Sequence, residues 1–315
     1  MAIEEKTLVH IGYHKTGTTW LQNYVFNNRE FGFVSPMPTK DMMDLIVLPN
    51  ALDFLPDVSE AGITRFLRSH EIEDLTPVFS NERFSGHPHS GGYDSSMIAD
   101  RLRTLFPGAG ILICIREQKK VILSCYNQYI KKGGAISISS YLNVSDRTRV
   151  PLFDFRHFMY HRLIDYYQKI FGRDRVLVLP YELFTQDSFD YVSRIIEFAN
   201  QQPRHVSPDE LPARNWSNRS ITGFELEIRR LMNFTVGYRN SINQFSILPM
   251  KKQRTDLLFE QVRKLHPIIP ASLSRAIMTS LETKVSRLVG SRYCESNRMT
   301  SELIGLDLSL LGYQT

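Results

Sequence analysis

Cysteine is scarce in this sequence. Its 315 residues hold three, Cys114, Cys125 and Cys294. An odd, low count leaves no disulfide framework and suits a reducing compartment. No CxxC or CxxH pairing occurs, so the usual structural zinc pattern is missing. Cys114 lies in an apolar run and Cys125 in a helical pattern, and both are expected in the core. No apolar run approaches the ~18 residues of a membrane span, so no integral membrane segment is expected. The opening Met-Ala-Ile-Glu-Glu-Lys lacks the apolar stretch of a signal peptide. The expected location is therefore cytoplasmic. There is no internal repeat, no low-complexity segment, no lysine/arginine block, no nucleic-acid motif and no basic amphipathic stripe. The net charge of +5, with a pI near 9.0, is accordingly assigned to a small anionic ligand and not to nucleic acid.

What remains is the composition of a folded α/β chain: 42% hydrophobic and 23% charged residues, enough for a sizeable core. Residues 8–20, Leu-Val-His-Ile-Gly-Tyr-His-Lys-Thr-Gly-Thr-Thr-Trp, organise it. Leu8 to Ile11 reads as a buried strand, Gly12 to Gly17 as a loop, and Thr18 to Asn28 as a helix. Strand, glycine-bounded loop and helix form a phosphate cradle, in which loop N–H groups and the helix dipole converge on an anion. The two glycines have Walker A spacing, but Thr18 stands where that box has its lysine, and the lysine sits earlier, at Lys15. From there it points nearer the nucleoside, which suits a two-group chain such as phosphosulfate better than a triphosphate.

Further strands are expected at Gly32–Ser35, Val78–Phe79, Ile111–Ile115 and Arg175–Leu179. Helices are expected at Ser59–His70, Ser95–Phe106, Glu117–Tyr129, Phe155–Phe171 and Phe189–Ala199. Residues 36–56, broken by four prolines, read as an irregular excursion, and 136–151 as a loop-rich stretch. His157 and His161 are four apart on the expected helix, but no third ligand accompanies them, so packing is expected there. Glu82 follows the strand at Val78–Phe79 and is placed as a general base. A salt bridge to Arg83 or another cation is the plainer alternative, and His87 and His89 in the next loop are its rivals. Arg116 closes the most apolar strand, and Ser124 lies eight residues on, two helical turns later.

The run from Tyr13 to Trp20 resembles the 5′-phosphosulfate loop of the sulfotransferase family, and Arg116 with Ser124 resembles that family's second, 3′-phosphate signature. A proline usually stands two places after this arginine. Gln118 occupies that position here, which puts the rigidity of the turn in question. The resemblance covers most of residues 6–200. It implies a P-loop-like central parallel β-sheet flanked by helices, an α/β fold with a helical C-terminal extension. The division expected is a single domain, 1–315, with a donor-binding core in 1–200 and helices in 201–315. The implied donor is 3′-phosphoadenosine 5′-phosphosulfate, with no metal. The implied donor-binding residues are His14, Lys15, Thr16, Gly17, Thr18, Thr19, Trp20, Arg116, Ser124, Tyr181 beside the adenine, and Asn218, Arg219 and Ser220 with Arg214 in a late loop. Ser220 is alternatively a helix N-cap. Lys15, Glu82 and Ser124 form the implied catalytic set, and Glu82 is similar to the carboxylate base of carbohydrate sulfotransferases.

The acceptor is expected to be a sugar, lipid or small-molecule hydroxyl, met by residues 33–60, 83–95 and 133–150. A nucleotide kinase with a degenerate loop, and a non-catalytic anion- or nucleic-acid-binding protein, are the alternatives. The kinase needs an acidic metal ligand at a strand end, where this chain has Arg116 and Pro180.

Overall fold

Five short parallel strands carry the fold. They are β1 (Leu8–Gly12), β2 (Phe33–Val34), β3 (Thr76–Ser80), β4 (Gly110–Ile115) and β5 (Val176–Pro180), in the order β2-β3-β1-β4-β5. The computed structural model describes residues 6–70, 74–143, 150–202, 205–211, 221–243, 246–264 and 270–315. Every residue of β1 and β3 is buried, as a parallel sheet covered on both faces requires. This is why those strands read as continuous apolar runs. Because all five run the same way, the segments following β1, β3, β4 and β5 emerge at one edge of the sheet. Ligands of open α/β sheets collect at that edge.

One polar side chain interrupts the apolar centre. His10 of β1 is fully buried, with Nδ1 2.7 Å from Ser80 Oγ of β3 and Nε2 3.3 Å from Cys114 Sγ of β4. Burial pushes its imidazole down to about 3, so it is neutral. The ring ties three neighbouring strands together near their carboxyl ends. Gln22, from the helix after β1, donates to the Ser80 carbonyl at 2.9 Å. Cys114 and Cys125 are both buried, as their apolar surroundings in the sequence imply.

Several elements differ from expectation for local reasons. The first helix, Thr18–Tyr24, stops before Asn28, whose side chain instead caps a 3₁₀ turn, Arg29–Phe31. The excursion 36–56 folds into a helical turn, Thr39–Met42, and a π turn, Met43–Val47. Buried Arg101, on the helix Ser95–Leu105, fixes it by donating to the carbonyls of Ile46 (2.7 Å) and Pro49 (2.8 Å). The expected helix from Phe155 is broken at Met159 into a 3₁₀ turn, Phe155–Phe158, and the helix Tyr160–Phe171. His157 and His161 therefore share no helix face, and His161 lies 2.7 Å from Ser296 Oγ instead.

The chain forms two compact units. The first, Met1–Gln118 with Phe155–Asn215 and Arg292–Thr315, contains the whole sheet and helices that include Pro56–Arg68, Ser188–Asn200 and Cys294–Ile304. The second, Lys119–Asp154 with Trp216–Ser291, is helical. It holds most of the helix Gln118–Lys131 together with Ile138–Tyr141, Gly223–Thr235, Lys252–Arg263 and Ala271–Val289. Its centre is a tyrosine cluster, with Tyr141 5.4 Å from Tyr126 and 5.1 Å from Tyr129 between ring centres. Asn233, fully buried, donates to the carbonyls of Ile130 and Gly134, both at 2.8 Å. The helix Gly223–Thr235 starts with a capping box of Thr222 and Glu225, so Thr222 holds the cap position considered for Ser220.

Candidate active site

The loop after β1 is bent by two left-handed residues, Lys15 (φ 70°) and Gly17 (φ 86°). Tyr13 N–H continues the ladder by donating to the Cys114 carbonyl at 3.0 Å. Thr16, buried, donates its hydroxyl to the Tyr13 carbonyl at 2.6 Å and so braces the loop itself. Gly12 is needed because a Cβ there would stand 2.5 Å from Thr18 Oγ1. Among the described residues, Thr18 Oγ1 is buried without a hydrogen-bond partner, and so is His14 Nδ1. Thr19 is exposed, and Trp20 packs on Phe184 at 4.9 Å between ring centres with its Nε1 unpartnered. Lys15 is half-buried, and its ammonium meets no carboxylate among the described residues.

Arg116, at the end of β4, joins this loop to a second turn. Its Nη1 donates to the Lys15 carbonyl at 2.9 Å. Its guanidinium lies 4.8 Å above the centre of the Tyr181 ring, a cation–π contact. Tyr181, at the end of β5, is buried, and a Cβ on Gly17 would stand 3.3 Å from its ring. Lys15, Gly17, Arg116 and Tyr181, drawn from three strand ends, therefore form one stack. Arg116 has no carboxylate partner among the described residues, and its buried Nε lacks an acceptor. Buried donors without acceptors are rare in folded proteins, and this one lies beside the loop of Lys15.

The turn after Arg116 is held without the family's proline. Gln118 is buried, and its Nε2 donates to Asn297 Oδ1 at 2.6 Å while Asn297 Nδ2 donates back at 3.2 Å. A reciprocal amide pair supplies the rigidity that a proline would otherwise confer. Beside it, buried Glu182 accepts from Glu117 N–H (3.1 Å) and from Tyr313 O–H (2.8 Å). The last helix and the tail thus brace the arginine turn from behind.

Glu82 opens a 3₁₀ turn, Glu82–Ser85, directly after β3 and Asn81. Arg83, one of the cations considered for it, reaches Asp94 at 2.8 Å. The Glu82 carboxylate lies 3.6 Å from His14 Nε2 and is partly exposed. His14 is buried. Burial, then the charges of His157, His87, His89 and Arg83, hold its imidazole well below the ordinary histidine range. The ring beside Glu82 is therefore neutral. His87 and His89 belong to a built turn, not a solvated loop: His89 is buried, His87 N–H donates to Asp94 Oδ1 at 3.0 Å, and His89 N–H donates to His87 Nδ1 at 3.0 Å. His157 packs on Tyr13 at 5.1 Å between ring centres. No group of three or more His, Cys, Asp or Glu side chains among the described residues is disposed to hold a metal ion.

With this geometry in hand, the sequence profile of the sulfotransferase domain matches residues 5–224, well over half of the chain. The chain belongs to the sulfotransferase family. Its α/β architecture agrees. A crystal structure of a sulfotransferase from Alicyclobacillus acidocaldarius aligns over 97% of this chain and 98% of that one, at 15% identity and a TM-score of 0.57. A mouse sulfotransferase, SULT7A1, complexed with PAP, aligns over 87% of this chain and 89% of that one, at 14% identity and a TM-score of 0.39. No curated protein sequence matches the chain.

This sulfotransferase, a transferase of the 2.8.2 class, thus brings together His14, Lys15, Thr16, Gly17, Thr18, Glu82, Arg116 and Tyr181 at the carboxyl edge of its sheet. Ser124 is half-buried on the helix Gln118–Lys131, in the second unit. Arg214, Asn218, Arg219 and Ser220 lie outside the described residues. The sequence reading named His157 as a packing residue, which it is, and missed Asp94 and Asn297. Each of these two meets its partner through a loop or from a distant stretch of chain, so no spacing rule points to it.

Proposed function

We propose that this sulfotransferase takes its sulfuryl group from 3′-phosphoadenosine 5′-phosphosulfate and passes it to an acceptor hydroxyl by in-line displacement. The observation that carries the reading is the pairing of Lys15 and Arg116. Two cations 101 residues apart share one backbone contact, and neither has a carboxylate partner among the described residues. The unpartnered Thr18 Oγ1 and Arg116 Nε add two buried donors beside them. That set fits a ligand with two separate anionic ends.

When bound, the donor supplies an activated sulfur–oxygen bond. Lys15 places positive charge at the leaving phosphate oxygen, and the loop N–H groups with the Thr18 hydroxyl hold the 5′-phosphate. Thr16 keeps the loop in shape. Arg116 and Ser124 anchor the 3′-phosphate, and Tyr181, beside the adenine, fixes the plane of the Arg116 guanidinium. Glu82 takes the acceptor proton, with the neutral His14 ring 3.6 Å from its carboxylate. A carboxylate base favours a sugar or aliphatic alcohol over a phenol. No Mg²⁺ is needed, since the loop has no Walker Lys-Ser/Thr pair to hold one.

Calorimetry with adenosine 3′,5′-bisphosphate and with AMP tests the donor. The expected result is a clear preference for the bisphosphate, lost in Arg116→Ala by about 2–3 kcal/mol, the value of a charge-assisted contact. Equal affinity for the two nucleotides would refute the donor assignment. Lys15→Ala should abolish transfer of radiolabelled sulfuryl groups.

A further inference from the structure

The modest +5 of the whole chain conceals a division of charge. The first unit has 20 Lys and Arg against 26 Asp and Glu, a net −6. The second has 18 against 7, a net +11 in about a third of the sequence. Lys15 and Arg116 belong to the acidic unit, whereas Arg219, also expected to hold the donor, belongs to the basic one, whose surplus far exceeds that one cation.

The same basic unit displays apolar side chains that its own core does not use. Leu231 and Phe234, three apart on the helix Gly223–Thr235, are 47% and 48% exposed. Ile247 and Leu248 are 61% and 68% exposed, and their N–H groups donate to the carbonyls of Phe234 and Thr235, which sets them beside the end of that helix. Leu257 and Leu258 are exposed on the next helix, Lys252–Arg263. That helix begins with Lys252 and Arg254, preceded by Lys251, and all three cations are exposed. Large exposed aliphatic and aromatic side chains clustered within 28 residues mark a contact surface.

From this combination we infer that the second unit docks on an anionic membrane surface, with Phe234, Ile247 and Leu248 entering the headgroup boundary and Lys251, Lys252 and Arg254 meeting lipid phosphates. A symmetric pairing of two copies through this face would set +11 against +11, which charge disfavours. The apolar side chains decide against a soluble polyanion, which would leave them in water. Interfacial binding uses both, burying apolar groups at the acyl boundary and pairing cations with headgroups. No helix among the described residues is long and apolar enough to cross a membrane, so the association is peripheral. The inference goes beyond the donor chemistry and does not depend on it.

Co-sedimentation of the full-length protein with vesicles tests it. Phosphatidylcholine vesicles containing about 30% phosphatidylglycerol should carry the protein down at low salt and release it at high salt, and pure phosphatidylcholine vesicles should not carry it. Lys251→Glu with Lys252→Glu should weaken partitioning by at least about tenfold, since one cation near such a surface is worth roughly fivefold. Phe234→Ser with Leu248→Ser should also weaken it, at unchanged charge. Absence of vesicle binding would overturn the inference. So would retention on immobilised heparin that ignores the apolar pair, which points to a polyanion. Circular dichroism checks that the variants are folded. Adenosine bisphosphate binding, unchanged in both, separates failure of the surface from failure of the donor assignment.

Discussion

Acid should weaken this fold through His10, and the loss can be worked out. The imidazole titrates near 6.5 in an unfolded chain and is pushed down to about 3 by complete burial. The folded pKa lies below the unfolded one, so the unfolded state binds the extra proton. The stability attached to His10 is therefore complete above pH 6.5 and is lost as pH falls from 6.5 towards 3. At pH 5 the loss is about 2 kcal/mol for this one residue, a large part of the 5–15 kcal/mol that holds most domains together. His14, whose imidazole is also held down by burial and by its histidine neighbours, shifts in the same direction. The assay is urea unfolding followed by circular dichroism at pH 7 and pH 5, on the wild type and on His10→Gln. Glutamine can still bond to Ser80 but cannot titrate. The variant should be weaker at pH 7 and should lose about 2 kcal/mol less than the wild type on going to pH 5. Identical losses in the two proteins would refute the reasoning.

Three further outcomes are expected. Glu82→Gln should lower turnover by about 10²–10⁴-fold while donor affinity holds, and near-normal turnover would remove Glu82 as the base. Gly17→Ala should cost about 1–3 kcal/mol, because φ is 86° and the new Cβ would press on Tyr181; a thermal melt that does not move would contradict the packing. Asn297→Ala removes the reciprocal amide pair, leaves Gln118 Nε2 to its longer 3.4 Å contact with the Phe158 carbonyl, and should cost about 1–3 kcal/mol. It should also weaken adenosine bisphosphate binding through the Arg116 turn, and calorimetry showing full affinity would sever that link.

Much of the sheet was legible in the sequence. β1, β3, β4 and β5 are buried on both faces and so appear as short apolar runs, and the chemistry-bearing residues follow them directly. The break at Met159 was invisible because the apolar spacing runs through it. The ordered turn at Met43–Val47 was hidden because its support, Arg101, lies more than 50 residues away. The same holds for the amide pair of Gln118 and Asn297, 179 residues apart, and for the histidines gathered round His14. Local patterns report which residues are buried. They do not report which distant residues bury one another.

Lys15 has a consequence for anyone who evolves this protein for heat tolerance. A residue with a Cβ sits at φ 70°, a region that glycine enters freely and other residues enter at about 1–2 kcal/mol. Screening for melting temperature alone should favour glycine at position 15. The sturdier variants would then have discarded the ammonium group proposed to serve the transfer, so the screen must score turnover beside temperature.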